Sequence, residues 1–265
     1  MTMGTEVSTR REDNIAFLRL EGEDRLNAIG SGTCRALAAA VTQLEADECS
    51  RAVVIHGAGR AFSAGADIEE INSFAAAADF RRFIHGLTDA LDLLEASPLP
   101  FIAAINGPAF GGGLELAMAC DLRVAYPEVK LGLPEAKLGV LPGAGGTQRL
   151  PRLVPRGLAT EMLMLGQAID GARAFEVGLV NRLAATASAV VEEATALARE
   201  LAAGAALVPA RVKSLYLDTA GAGLAEGIAR ERDVATELFA SPDGREGFTA
   251  FTQRRKPAFL PAQPS

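Results

Sequence analysis

Histidine is nearly absent: 265 residues contain two, His56 and His85. A serine hydrolase of the Ser-His-Asp kind needs a histidine oriented by an acid, and neither histidine has an acid partner placed beside it in sequence. His56 reads as the close of a strand and His85 as the start of a helix, both structural. Cysteine is also scarce. Cys34, Cys49 and Cys120 are odd in number and lie in apolar or helical contexts, so they read as buried thiols of a reducing compartment. No His/Cys/Asp cluster has metal-ligand spacing, so no metal is expected. The net charge is −7, and Arg254-Arg255-Lys256 is the one short basic tract. Nucleic acid is therefore a poor main partner, because phosphate binding needs a concentrated basic footprint. No apolar run reaches the roughly 18–20 residues that span a bilayer. The longest candidate, residues 98–109, is broken by Pro100, Asn106, Gly107 and Pro108. Residues 5–14 are polar and charged, unlike a signal peptide. A cytoplasmic protein with no membrane partner is the expectation.

What is present is an ordinary globular composition, 49% hydrophobic and 22% charged. The length predicts one large domain, or one with a small appendage, that buries roughly 70–75% of its unfolded surface. The first ~200 residues alternate short apolar runs with amphipathic stretches, as α/β proteins do. Residues 14–20, 52–55, 101–105 and 122–125 read as strands. Residues 31–45 read as a helix capped by Ser31, with Cys34, Leu37, Ala38 and Val41 on one stripe. Leu87, Ala90, Leu91 and Leu94 form a second stripe, stopped by Pro98, and residues 112–119 have helical composition. Beyond Pro151 the strands fade and helical windows dominate. Val190, Ala194, Leu197, Ala198 and Leu201 share a face, and 224–239 and 244–251 are further helices. Pro257, Pro261 and Pro264 mark a frayed tail.

Two acids stand out. Glu115 follows Gly111-Gly112-Gly113, and Glu135 follows Leu133-Pro134. Burial raises a carboxyl pKa, and a neighbouring carboxylate raises it further. Such a pair can keep one acid and one base near neutral pH. Gly111-Gly112-Gly113 follows a strand and opens a helix whose first N–H groups lack internal partners and can stabilise a negative oxygen. There is no Walker loop and no Gly-x-Gly-x-x-Gly after a strand. In Arg60-Ala61-Phe62-Ser63-Ala64-Gly65-Ala66-Asp67-Ile68, the Ala64 N–H is a candidate second donor. Ser63 is not in a nucleophile elbow. The glycine loop at residues 141–150 reads, alone, as a packing loop.

Together the segments resemble the enoyl-CoA hydratase/isomerase (crotonase) superfamily, and specifically its hydratases. The matching pieces are Leu26-Asn27-Ala28, Phe62-Ser63-Ala64-Gly65-Ala66-Asp67-Ile68, Gly111-Gly112-Gly113-Leu114-Glu115-Leu116-Ala117 and Leu133-Pro134-Glu135. They continue with Pro142-Gly143-Ala144-Gly145-Gly146-Thr147-Gln148-Arg149-Leu150 and with Ala250-Phe251 and Arg255-Lys256-Pro257. They occur in family order along nearly the whole chain.

The resemblance implies a crotonase-like (ClpP/crotonase) α/β spiral of ββα units over residues 1–200, and a helical C-terminal region over 201–265 for trimerisation. It implies a homotrimer, or a hexamer made of two trimers. It implies an acyl-CoA thioester substrate and no cofactor, coenzyme A being part of the substrate. Carried over by motif, the catalytic acids are Glu115 and Glu135, sharing the base and acid roles, and the oxyanion hole is made by Ala64 and Gly112. Coenzyme A would meet Arg25, Leu26, Ala28, Ala66, Asp67, Ile68, Gly111, Pro134 and Gly143, and Lys256 or Arg255 near the C-terminus. Ile71, Phe74, Phe80 and Phe83 would wall the acyl pocket. Retention of both glutamates favours hydration of a trans-2-enoyl-CoA. A double-bond isomerase, a dehydratase of branched hydroxyacyl-CoA and a non-catalytic CoA-binding paralogue are the alternatives.

Overall fold

The computed structural model describes residues 4–47 and 49–259; Pro261 and Pro264 lie outside them. The chain begins with an antiparallel hairpin, β1 (Glu6–Glu12) and β2 (Ile15–Glu21). It then lays β3 (Ala52–Gly57), β4 (Phe101–Ala104), β6 (Leu122–Ala125) and β9 (Arg182–Leu183) parallel beside β2 in one six-stranded sheet. A second sheet pairs β5 (Ala109–Phe110), β7 (Lys130–Gly132) and β8 (Ala168–Asp170).

The inner strands β2, β3 and β4 of the large sheet are largely apolar because both faces are covered there. Ala16, Leu18, Val53, Ile55, Phe101 and Ala103 enter one core, while Ile15, Phe17, Ala52, Val54, Ile102 and Ala104 enter the other. The first core is covered by α1 (Ser31–Glu45) and α3 (Ala77–Ala96). The second is covered by α8 (Val190–Ala202) through Val190, Ala194, Leu197 and Ala198. Leu201, on the same stripe, is only partly buried.

The ββα unit repeats along the chain. β4, β5 and α4 (Gly112–Ala119) form one turn, and β6, β7 and α5 (Gly146–Leu153) form the next. In the earlier turns the second strand shrinks to isolated parallel bridges: Ile29 pairs with Ala66, and Ser63 pairs with Ala109. These short pairings stack each turn's strand-to-helix bend on the next. The glycine-rich bends therefore line up along one edge of the spiral.

Helices dominate the remainder: α6 (Arg156–Leu165), α7 (Gly171–Glu176), α9 (Leu207–Asp218), α10 (Leu224–Ala240) and α11 (Pro242–Thr252). A five-residue helix, α2 (Ile68–Asn72), precedes α3. Among the described residues, no helix is long and apolar enough to cross a membrane.

Several expectations are corrected. Residues 6–12, to which sequence reading assigned no element, form strand β1, an edge strand whose side chains are mostly exposed. The N-cap of α1 is Gly30, not Ser31; Ser31 instead donates to Glu70 through both its N–H and its Oγ. His85 lies in the middle of α3. Cys49 is exposed, unlike Cys34 and Cys120. Two strands, β8 and β9, follow Pro151.

Candidate active site

Glu115 sits in the first turn of α4 with 2% of its surface exposed. Its Oε1 accepts the N–H of Ala144 at 2.9 Å and that of Gly146 at 2.7 Å. Burial pushes its pKa up, and the two amides and the nearby Arg149 guanidinium push back. The loop at 141–150 is thus more than packing: its peptides hold an acid. The usable signal was Gly145-Gly146 at a helix start, where N–H groups lack partners.

Glu135 stands in a 3-10 turn, Pro134–Leu138, after Pro134 sets its first residue. Its Oε2 is buried and accepts no hydrogen bond. Burial first, then repulsion from Glu115, pushes its pKa up to about 7. Gly111 brings the two acids together. Its φ is +49°, and a Cβ there would lie 2.7 Å from Glu135 Oε1, so a side chain at this bend would displace the carboxylate.

Facing these acids are two spare amides. The Gly112 N–H opens α4, where no preceding turn offers an acceptor. The other is not Ala64, whose N–H is donated to Leu26 O at 2.8 Å. In the bridge to Ile29, Gly65 C=O and the Asp67 N–H turn toward Ile29. Backbone groups alternate sides along an extended segment, so the Ala66 N–H turns the opposite way. It has no acceptor among the described residues. A Cβ on Gly112 would lie 3.5 Å from the Ala66 nitrogen, so the free amides of Ala66 and Gly112 are neighbours. The motif reading chose the wrong alanine because only the pairing reveals which N–H is spent.

Two buried side chains set this loop. Asn27 Nδ2 donates to the carbonyls of Ala58, Ala61 and Phe62, and its Oδ1 accepts the Gly22 N–H. Ser63 Oγ donates to Asn27 O at 2.8 Å and accepts from Gly65 N at 3.2 Å, so it braces the bend instead of acting as a nucleophile.

The other site residues divide. Leu26, Ala28, Gly111 and Pro134 border the bends, and Gly143 is exposed, with room for a Cβ only 2.7 Å from Ile84 Cδ1. Arg25 is not a free cation: Nη2 meets Asp67 Oδ1 and Glu69 Oε2, both at 2.8 Å. Asp67 also caps α2 through the N–H groups of Glu69 and Glu70. Ile68 is half exposed. Lys256 is exposed, and among the described residues its side chain makes no hydrogen bond or ion pair with the site. Of the expected acyl-pocket walls, Phe74 and Phe83 pack 6.0 Å apart and line a cleft of about 630 Å³ on the α1 side of α3. Phe80 is exposed. The α3 side chains against the glycine bends are Leu87, expected only as part of a core stripe, and Ile84, which sequence reading missed.

The profile of the enoyl-CoA hydratase/isomerase family matches residues 10–261. The chain belongs to that family. It is an enzyme of the crotonase superfamily, with that fold. A Bacillus subtilis protein named "probable enoyl-CoA hydratase" is 40% identical over 88% of this chain and 90% of its own length. A crotonyl-CoA hydratase of Syntrophomonas wolfei is 37% identical over 96% of this chain and 97% of its own. The crystal structure of an enoyl-CoA hydratase from Polaromonas sp. JS666 superposes with a TM-score of 0.93 at 32% identity, covering 96% of this chain and all of that one. Within this crotonase-superfamily fold, the paired acids and the two free amides occupy one row of strand-to-helix bends.

Proposed function

We propose that the protein is an enoyl-CoA hydratase, adding water reversibly to the double bond of a trans-2-enoyl-CoA. The observation that carries the reading is the junction at Gly111. A carboxyl titrating near 7 and a second carboxyl held by two amides flank one bend, and the free N–H groups of Ala66 and Gly112 lie beside it.

The Ala66 and Gly112 amides receive the thioester oxygen. As water adds at C3, negative charge grows on that oxygen, and two fixed donors lower the barrier; losing one such donor costs roughly 3–4 kcal/mol. Glu115, its Oε1 fixed by Ala144 and Gly146, takes a proton from the water as the new C–O bond forms. Glu135, protonated near neutral pH, delivers a proton to C2 as the enolate collapses. Exchange with solvent then resets both acids. The reaction needs no cofactor, since coenzyme A arrives as part of the substrate.

Coenzyme A lies along Leu26, Ala28, Ala66 and Ile68 in this reading, with Lys256 supplied to its phosphates by a neighbouring subunit; Arg255 is already held by Glu246 through Nη1 and Nη2. Leu207, Val208, Val212, Tyr216, Phe248 and Phe251 leave apolar surface exposed on the C-terminal helices. The 201–265 region is the proposed contact of a trimer or hexamer, testable by light scattering.

Loss of the conjugated thioester absorbance of crotonyl-CoA tests the function. Oxygen from heavy-oxygen water must appear in the product. Absence of turnover would remove the reading, and double-bond migration without label would replace it with an isomerase. Glu135→Ala retaining most of the rate would refute the acid's role.

A further inference from the structure

Arg149 on α5 has no part in the reaction as described, yet its side chain is only 12% exposed. Nε and Nη2 fork onto Glu95 Oε1 and Oε2 at 2.7 and 2.8 Å, and Nη2 also reaches Asp92 Oδ1 at 3.0 Å. Both acids belong to α3. Nη1 turns the other way and donates to Ala144 O at 2.6 Å.

That carbonyl belongs to the peptide unit between two others. The unit before it carries the Ala144 N–H and the unit after it carries the Gly146 N–H, the two groups that hold Glu115 Oε1. A peptide pinned between two donors fixes the direction of both. The fit depends on Gly145, whose φ is +98°, and where a Cβ would lie 2.0 Å from Arg149 Nη1.

We propose that Arg149 is a positioning residue for Glu115: anchored to α3 through Glu95, it fixes the 144–146 loop whose amides aim the Glu115 carboxylate. The proposal rests on Glu115 being the base of the hydration. Two charged groups face Glu115: Glu135 from the 3-10 turn, and Arg149 from α5. Asp92 and Glu95 face Arg149 from α3. The guanidinium opposes the upward push of burial on Glu115, so its loss has an electrostatic sign as well as a geometric one.

Three variants test this. Arg149→Met keeps the stem and removes the fork. Its kcat on crotonyl-CoA is expected to fall about 10–100-fold with KM nearly unchanged, the scale of a misplaced catalytic group, and added guanidinium is expected to restore part of the loss. Arg149→Lys keeps the charge but cannot span Glu95 and Ala144, so its kcat is expected to stay well below wild type. The carboxyl carbon of Glu115, followed by NMR, is expected to titrate at higher pH in Arg149→Met. Wild-type kcat in a folded Arg149→Met, or full activity in Arg149→Lys, would overturn the proposal. If Arg149→Met does not fold, Glu95→Gln takes its place: a several-fold drop in kcat supports the anchor, and an unchanged kcat overturns it. If the wild-type protein does not hydrate crotonyl-CoA, the functional reading falls by itself. The Glu115 titration still tests the contact, and an unmoved midpoint overturns the positioning role.

Discussion

Replacing Glu135 with Gln separates what the site does for catalysis from what it costs the fold. The carboxyl titrates at about 7 against 4.5 for a free glutamate. A group whose folded pKa is raised binds its proton more tightly in the folded state. It therefore costs nothing well below pH 4.5, and its penalty grows as the pH climbs from about 4.5 to about 7 and is constant above. The full shift corresponds to at most roughly 3 kcal/mol. Because the side chain is only partly buried, screening by solvent reduces this to about 1–2 kcal/mol. Glutamine does not titrate, so Glu135→Gln is expected to gain about 1–2 kcal/mol on wild type between pH 4.5 and pH 8. Its amide is left beside the same unpartnered space as Oε2, which adds an offset that does not depend on pH. The readout is therefore the slope of the difference, from urea unfolding at several pH values. A difference that stays flat from pH 4.5 to pH 8 would refute the claim that Glu135 is held protonated by its surroundings. The same variant is expected to lose the proposed hydration of crotonyl-CoA, which would make the stability penalty the cost of a proton held in reserve.

Hydration by wild type is expected to show kcat/KM falling above about pH 7, as Glu135 loses the proton it delivers; a flat profile from pH 6 to 9 would contradict that role. Lys213→Met removes an ammonium that donates to Leu94 O, Leu99 O and Asp121 Oδ2, each at 2.9 Å. Breaking one side of such a buried pair costs about 3–5 kcal/mol, read by urea unfolding at pH 8. The cost is expected to shrink as the pH is lowered, because burial already pushes the Asp121 carboxyl up and the loss of Lys213 pushes it further, so it takes a proton more readily. Asn27→Ala strands three carbonyls and the Gly22 N–H, so a loss of roughly 3 kcal/mol or more is expected in the same assay.

The inner part of the large sheet was legible because its strands are apolar on both faces, as in Ala52-Val53-Val54-Ile55. So was α4, whose start and end follow from the glycine run and Cys120. The second sheet was not. Its early strands are single bridged residues, Ile29, Ser63 and Ala66, too short to give any periodicity, and so the ββα repeat left no mark in the sequence itself. Strand β1 was hidden by its charges, since an exposed edge needs no apolar alternation. The acids Glu115 and Glu135 were legible from their glycine and proline neighbours. Their supports were not, because Ala144 and Gly146 act through main-chain N–H groups that sequence does not distinguish, and Arg149 acts through its hold on the Ala144 carbonyl.

The oxyanion donors make the same point more sharply. Alanine 64 and alanine 66 have the same side chain, and the choice between them is a matter of parity along an extended backbone. Ala64 N–H is taken by Leu26 O, and the bridge to Ile29 takes the carbonyl of Gly65 and the N–H of Asp67. What is left facing Gly112 is the Ala66 amide. A pairing shifted by one residue would turn that amide toward Ile29 and present a carbonyl in its place, reversing the sign of the dipole that the proposed reaction needs beside Gly112. The backbone is left-handed at Leu26 and Asn27, just before the bridge, with φ of 53° and 57°, and the buried Asn27 side chain ties this bend to the carbonyls of Ala58, Ala61 and Phe62. Strain at two non-glycine residues of this kind costs on the order of 1–3 kcal/mol each and persists where the surroundings enforce it. In this protein these residues lie beside the segment that leaves one unpaired N–H turned toward Gly112, the donor that the proposed hydration would use.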